Sequence, residues 1–523
     1  MDSPRPRRSS RHLPLPPTRR TRRRLPPRRV RRPLAALLLV LTSCTESAPG
    51  DAASGASASG HAASGTSASG AATSGAAAAV VPAAAADLSA AIDALVTEAV
   101  ERGVLAGAAV AVLRGGEPLH VGHYGWADLE TRTPVGPETL FNMESTTKPF
   151  TGAALAALAS EGRLDLDDPL QQWIPEFPNP EQGARITLRQ LVNHTSGLSD
   201  YIDADLERWL ETREPLAPAV VLDYLADRPL DFEPGTHWAY TNSGFYLAGM
   251  VIERASGQPW FDVVRDRFLT PGELDDLHLC DDAPAARRTT GYIGTDSTLA
   301  VDPLFREEGI RADGGLCASA LTLARAASVL ESEVGLGPAF PTVRTPTRLA
   351  NGVAIDYGMG LRSGTLAGHA LYGHTGGISG YLAVMARFPD DDVSIAVLIN
   401  TNRTPSDALV LFGPIAARAL GVDVVTPPER PLSDAVAAAY VGRYRGAPGE
   451  GPVEVTTADG RLRVTLAGAE SSTELIAVGE HTFARADGSY PLDRFVFQMH
   501  EGVAAAYAGY YNGMHQTFRQ RLP

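Results

Sequence analysis

The chain of 523 residues contains a single lysine, Lys148, against 45 arginines. Positive charge is supplied almost everywhere by arginine, so the lone lysine marks a place where the two cations differ. Arginine stays protonated, whereas a desolvated lysine can lose its proton and act as a base. Cysteine is nearly as scarce, with three residues. That excludes a disulfide-dense framework and a multi-cysteine metal knuckle. The twelve histidines include no H-E-x-x-H pair or close His/Asp cluster, so no metal site is expected, and no glycine-rich phosphate loop of the right spacing occurs. No cofactor is implied. Long apolar runs are also missing. Pro33 to Leu41 (PLAALLLVL) is too short to span a bilayer as a helix and has the length of a signal-peptide core.

What is present begins with a charge asymmetry. The first 32 residues hold thirteen arginines and one acidic residue, about +12, leaving about −26 of the total −14 to the rest. A basic arm invites a nucleic-acid reading, but the apolar run that follows, ending in Leu41-Thr42-Ser43-Cys44, resembles the bacterial lipobox. Residues 1–44 are therefore expected to be a lipoprotein-type signal peptide with an extended basic arm. Cys44 is expected to be its lipidation site, and the product to be exported and lipid-anchored at the cell envelope, with no nucleic-acid partner. A true start near Val30 would leave a compact basic region. Arg28-Arg29 also suggests twin-arginine export, although the surrounding residues match that signal poorly.

Residues 45–86 are almost entirely Ala, Ser, Gly and Thr, and offer no periodicity that could bury a core. They read as a flexible tether. Globular patterning starts near Asp87, with Leu88, Ile92, Leu95, Val96 and Ala99 on one helical stripe. Strands are expected at Ala108–Leu113 and Leu119–Tyr124, and a buried helix from Ser145 to Glu161 with Pro149 in its first turn. A mainly helical region then runs to about residue 335. Tyr381–Phe388 and Val393–Asn400 read as a hairpin rejoining the first strands in one antiparallel sheet, and a helix over Ser406–Leu420 closes the unit. The fold class is thus α/β in the broad, α+β sense. An antiparallel sheet is flanked by helices beside a mainly helical subdomain, over 87–425. After the linker Thr426–Pro431 the pattern changes to short strands spaced by turn signals such as Asp459-Gly460 and Asp487-Gly488. Residues 432–523 are expected to form a separate small β-barrel-like domain, with strands at Val453–Thr457, Leu462–Leu466, Phe495–His500 and Ala504–Tyr510.

The lysine stands three residues after Ser145, in Glu144-Ser145-Thr146-Thr147-Lys148-Pro149-Phe150. That spacing puts both side chains on one helical face, where a base can activate a hydroxyl. Two further segments follow in order: Tyr240-Thr241-Asn242, and Tyr372-Gly373-His374-Thr375-Gly376-Gly377 before a strand. The succession S-x-x-K, Y-x-N, H-T-G over residues 88–422 resembles the penicillin-recognising serine hydrolases. More narrowly it resembles the class C β-lactamase group with its D-alanyl-D-alanine carboxypeptidases and related esterases. Asn193-His194-Thr195-Ser196-Gly197 and Ala312-Asp313-Gly314-Gly315 support it. The resemblance implies Ser145 as nucleophile, Lys148 and Tyr240 as proton carriers, and Asn242 as holder of a substrate amide carbonyl. It implies Thr375, Gly376 and Gly377 along the substrate, with the backbone N–H groups of Ser145 and Gly377 as oxyanion donors. His374 stands where many relatives have lysine, and as imidazole is expected to meet a substrate carboxylate or position Tyr240. His194 is expected to be structural, and Asn242 also fits a helix N-cap.

The chain departs from the family pattern in two places. The proline-leucine-glycine turn reads Pro271-Gly272-Glu273, and Ser319-Ala320-Leu321-Thr322 lacks the usual acidic residue. The implied substrate is an ester or amide: a peptidoglycan-derived D-peptide, a β-lactam or a small ester. A penicillin-binding or sensing lipoprotein, acylated without efficient turnover, is the competing reading. Cys280 and Cys317, 37 positions apart, are expected to be two separate buried thiols. The sequence gives no oligomeric state.

Overall fold

The computed structural model describes residues 83–523, apart from 203, 206–207, 209–211, 213, 215, 296–297, 304–310, 379, 403–406 and 470. The basic arm, Cys44 and nearly all of the tether lie outside the described residues. The first helix, α1 (Ala83–Glu101), starts slightly before the expected boundary. Its stripe behaves as the periodicity requires. Ile92 and Val96 are fully buried, and Leu88, Leu95 and Ala99 pack beside them.

The region before the C-terminal strands is built on an antiparallel sheet. Strands β1 (Gly107–Arg114) and β2 (Glu117–Asp128) form a hairpin. A short pair, β3 (Phe141–Asn142) and β4 (Leu277–Leu279), flanks β5 (Leu316–Ala318). The remaining sheet strands are β6 (Arg362–Leu366), β7 (His369–Ile378), β8 (Tyr381–Phe388) and β9 (Val393–Ile399). Their spatial order is β6-β7-β8-β9-β1-β2. The expected hairpin β8–β9 does rejoin the first strand, with Ala396 opposite Ala111 and Met385.

Strands β1, β8 and β9 are buried on both faces, which is why they read as continuous apolar runs. Ala109, Ala111, Ala383 and Ala396 face one core, shared with α2 (Lys148–Ser160), α4 (Asn242–Ser256) and α5 (Ala320–Val329). Between these lies the short helix α3 (Leu188–Val192), closed by a Thr187/Gln190 capping box. Val110, Val112, Val384, Ile395 and Val397 face the other core, against α1 and α6 (Asp407–Leu420). The alanines on the first face let helices approach the sheet closely. In α2, a Cβ on Gly152 would lie 1.9 Å from Met359 O, so only glycine fits that crossing.

The two cysteines overturn the expectation of separate thiols. Cys280 and Cys317 form a disulfide, with Cα atoms 5.0 Å apart. Antiparallel pairing of β4 with β5 sets His278 opposite Cys317, so Cys280, two residues after His278 and on the same face, lies diagonally across from Cys317. A 37-residue separation carries no information about that adjacency.

Among the described residues, the β-rich C-terminal region has eight strands: β10 (Gly442–Tyr444), β11 (Val453–Ala458), β12 (Arg461–Leu466), β13 (Thr473–Gly479), β14 (Thr482–Arg485), β15 (Arg494–His500), β16 (Val503–Tyr511) and β17 (Met514–Gln520). Each pairs antiparallel with the next. The last meets the first: Arg445 N–H donates to Gln520 O at 2.7 Å and Leu522 N–H to Arg443 O at 2.8 Å. The meander therefore closes, and Tyr440, Tyr444, Phe483, Phe497 and Tyr507 fill its interior. This barrel touches the first sheet edge to edge, with Gly364 of β6 paired to Met514 of β17.

Candidate active site

Ser145 sits in a single 3₁₀ turn, Glu144–Thr147, that leads into α2. A 3₁₀ turn has three residues per turn, so positions i and i+3 eclipse. This stacks Lys148 over Ser145 more directly than the continuous α-helix expected from the sequence. Glu144 enters the turn at φ +50°, an uncommon conformation for a side-chain-bearing residue, held by Glu144 N–H donating to Asn142 Oδ1 at 3.0 Å.

Lys148 is fully buried. Its Nζ donates to Ser145 Oγ at 2.9 Å, to Asn242 Oδ1 at 2.7 Å and to the Asp313 carbonyl at 2.7 Å. Three acceptors match the three N–H bonds of an ammonium. Two of them, on Asn242 and Asp313, equally match the two N–H bonds of a neutral amine, leaving its lone pair toward Ser145 Oγ. The geometry therefore serves both states of a proton carrier.

Asn242 opens α4, but Thr241, not Asn242, is the N-cap, its side chain accepting from Ser243 N–H. The Asn242 amide is fixed instead by Asp200. Its Nδ2 and backbone N–H both donate to Asp200 Oδ2, at 2.9 and 3.1 Å, which turns Oδ1 toward Lys148. Loss of water around Asp200 pushes its carboxyl up to about 6, despite the opposing hydrogen bonds from Asn242 and Ile202 and the Lys148 charge. Sequence reasoning missed Asp200. Its signal was an acidic residue three positions after Ser196-Gly197, on the far side of a tight turn.

Tyr240 lies between two cations. Lys148 Nζ is 5.0 Å from its ring centroid and Arg362 Cζ is 5.3 Å away. Arg362, buried at the start of β6, was also missed. It is held by Nη1 donating to the carbonyls of His515 and Gln516 at 2.8 and 3.4 Å, both on β17. Thr375 Oγ1 likewise meets Gln516 Oε1 at 3.5 Å. The C-terminal barrel thus builds part of the wall beside Tyr240.

Strand β7 passes the serine turn at close range. A Cβ on Gly376 would lie 2.2 Å from Met143 O and 3.1 Å from Ser145 N. Glycine at this position lets the strand lie against Ser145, and Gly377 beside it is exposed.

His374 was expected either to meet a substrate carboxylate or to position Tyr240. Its ring is fully buried, with Nε2 against Tyr357 Oη at 3.0 Å and Nδ1 against the Thr375 carbonyl at 2.6 Å. Burial first, then the Arg362 and Lys148 charges, hold its imidazole well below the usual histidine range. A neutral ring with both nitrogens engaged has nothing to offer a substrate carboxylate. Alternate residues of a strand share a face, so His374 lies on the face of Gly376 that meets the serine turn, with its ring 6.1 Å from that of Tyr240.

Comparison with known proteins agrees with this geometry. The β-lactamase family model matches residues 92–419, well over half of the chain. The chain belongs to the β-lactamase family. Among curated relatives, penicillin-binding protein 4* of Bacillus subtilis (strain 168) is 28% identical over 385 residues, 69% of this chain and 83% of that protein. A D-aminopeptidase of Brucella anthropi is 29% identical over 299 residues, 56% of each, so the match spans little more than half of that relative's length. Among solved structures, a D-stereospecific amidohydrolase from Streptomyces sp. is 27% identical with a TM-score of 0.55, covering 64% of this chain and 99% of that one. SurE is 28% identical with a TM-score of 0.56, covering 84% and 100%. The protein is accordingly a serine hydrolase of the β-lactamase and penicillin-binding fold.

Proposed function

We propose that the protein is an exported, lipid-anchored hydrolase of the class C β-lactamase type that forms an acyl-enzyme at Ser145 with amides or esters carrying a D-residue. The observation that carries this reading is the contact of the buried Lys148 Nζ with Ser145 Oγ at 2.9 Å, with Asn242 and Asp313 holding the other two bonds.

In this reading Lys148 takes the Ser145 proton and Oγ attacks the carbonyl. Tyr240 carries the proton to the leaving group, while the two flanking cations meet any phenolate formed on the way. The N–H groups of Ser145 and Gly377 receive the oxyanion. Water then attacks the acyl carbonyl by the same proton route in reverse. The D-configuration is suggested by the names of the relatives, a D-aminopeptidase and a D-stereospecific amidohydrolase, and by a SurE structure with D-Leu. Export and anchoring rest on the basic arm, apolar run and L-T-S-C segment. The Cys280–Cys317 disulfide suits an oxidising compartment.

The test is intact-mass analysis after fluorophosphonate or penicillin, with turnover of paired D- and L-phenylalanine amides and a p-nitrophenyl ester. Single labelling at Ser145, lost in Ser145→Ala, and faster turnover of the D-amide are expected. Label persisting in Ser145→Ala at the wild-type level refutes the nucleophile. A stoichiometric burst without steady state would instead favour the sensing reading, for which the penicillin-binding relative argues.

A further inference from the structure

Behind Tyr240, three buried side chains that the chemistry above does not use stand in one hydrogen-bonded line. His194, Tyr357 and His374 are each 0% exposed. The line begins at the backbone N–H of Thr241, 3.2 Å from His194 Nδ1. It continues from His194 Nε2 to Tyr357 Oη at 2.9 Å and from that oxygen to His374 Nε2 at 3.0 Å. It ends where His374 Nδ1 meets the Thr375 carbonyl at 2.6 Å.

Both ends have a fixed polarity. A peptide N–H only donates, so His194 Nδ1 is the bare acceptor and Nε2 carries the hydrogen. A carbonyl only accepts, so His374 carries its hydrogen on Nδ1 and Nε2 is bare. Tyr357 is then forced to accept from His194 and donate to His374. Every donor meets an acceptor, all bonds run one way, and no member needs a charge.

The ends of this line are the two walls of the cleft. Thr241 lies between Tyr240 and Asn242, and Thr375 adjoins Gly376 and Gly377 on β7. The His194 ring also packs on Tyr240, with centroids 4.3 Å apart. We propose that His194, Tyr357 and His374 form a neutral, directional strut of positioning residues, which sets Tyr240 and Asn242 against the β7 strand beside Ser145. The proposal rests on the hydrolase reading for its consequence and on geometry alone for its existence. The charged and titratable groups that face the line are Lys148 on α2, Arg362 on β6, Tyr240, and His515 on β17. Lys148 and Arg362 would repel an imidazolium, and a hydrogen on His194 Nδ1 would point at the Thr241 N–H. Burial first, and then those charges, lower His194 as they do His374.

Two measurements on the full chain test the strut. In the first, histidine is labelled with nitrogen-15 and its ring signals are followed from pH 5 to 9, with His194→Gln and His374→Gln used for assignment. His194 should be neutral with hydrogen on Nε2 and His374 neutral with hydrogen on Nδ1 throughout. An imidazolium in that range at either ring, or the opposite tautomer, overturns the proposal. In the second, Tyr357→Phe removes only the central hydroxyl. Its kcat should fall about tenfold to a hundredfold, with KM held within about twofold, as expected for misplaced catalytic groups. Wild-type kcat in a folded Tyr357→Phe overturns the positioning role. If Tyr357→Phe does not fold, the ring tautomers of the wild type decide the matter. A wild type that neither labels nor turns over defeats the hydrolase reading, and the tautomers still decide whether the strut exists.

Discussion

At the scale of single residues, the proposed chemistry turns on a cation that can give up its proton. Lys148 is the only lysine, and its three contacts define what a substitute must do. Arginine keeps the charge but does not release a proton at working pH. Lys148→Arg should therefore lose at least about a thousandfold in kcat/KM, within the range that general-base and nucleophile activation contribute. Its folded circular dichroism spectrum should be retained. Substantial turnover in that variant would show that Lys148 is no base. Asp200 gives a second expectation. Burial pushes its carboxyl up to about 6, and as a carboxylate it accepts both Asn242 donors. Because that value is raised, the carboxylate is lost as pH falls through about 6, and kcat/KM should decline there. Asp200→Asn keeps one acceptor without titrating, so it should be slower and lack that acid limb. A pH–rate profile that is the same in wild type and Asp200→Asn would remove Asp200 from the pH dependence.

At the scale of elements, two short segments decide the geometry. The 3₁₀ turn Glu144–Thr147 brings Ser145 under Lys148, and β7 closes on that turn through Gly376. The atom that a Gly376 side chain would strike is the Met143 carbonyl, which belongs to the backbone and cannot swing aside. Gly376→Ala should push β7 away from the nucleophile. We expect a loss of about a hundredfold in the rate of Ser145 labelling, since displacements near 1 Å have that effect. Labelling at the wild-type rate would show that the strand and the turn are not coupled. These elements were legible in different degrees. The hairpin β8–β9 was read from two continuous apolar runs split by a turn and α1 from its apolar stripe, because both patterns are legible without knowledge of partners. Strand β17 was not. Its sequence, Met-His-Gln-Thr-Phe-Arg-Gln, is mostly polar, yet His515, Gln516 and Arg519 are buried where the barrel meets the catalytic region.

At the scale of the whole molecule, the barrel and the catalytic sheet act together. Trp238, Leu349, Ile355 and Tyr357 from one side share a core with Ala506 and Phe518 from the other, and Tyr240 packs against it. Gln498 pairs with the backbone of Ala354 in both directions, and His237 meets Gln520 Oε1 at 2.9 Å. Removing the barrel would strip Arg362 of both carbonyl acceptors, and an uncompensated buried charge costs about 3–5 kcal/mol. A chain ending at residue 425 should therefore be poorly soluble, or folded with a markedly lower melting temperature and little turnover. Unchanged kcat/KM and melting temperature in that shortened chain would refute this coupling.

The sequence by itself determined the candidate site: a serine and the only lysine three positions apart, a tyrosine and asparagine two apart, and a glycine pair after His374-Thr375. These are short-range patterns, and helical or strand geometry turns such spacings directly into proximity. Tertiary structure decided the rest. Asp200 acts on Asn242 from 42 residues away, Arg362 finds its acceptors 153 and 154 residues along, and His194 reaches Tyr357 across 163. The disulfide, the closure of the barrel and the burial of His374 belong to the same class. Each depends on which distant strands pair and which face a side chain takes, and chain folding, not local spacing, settles both.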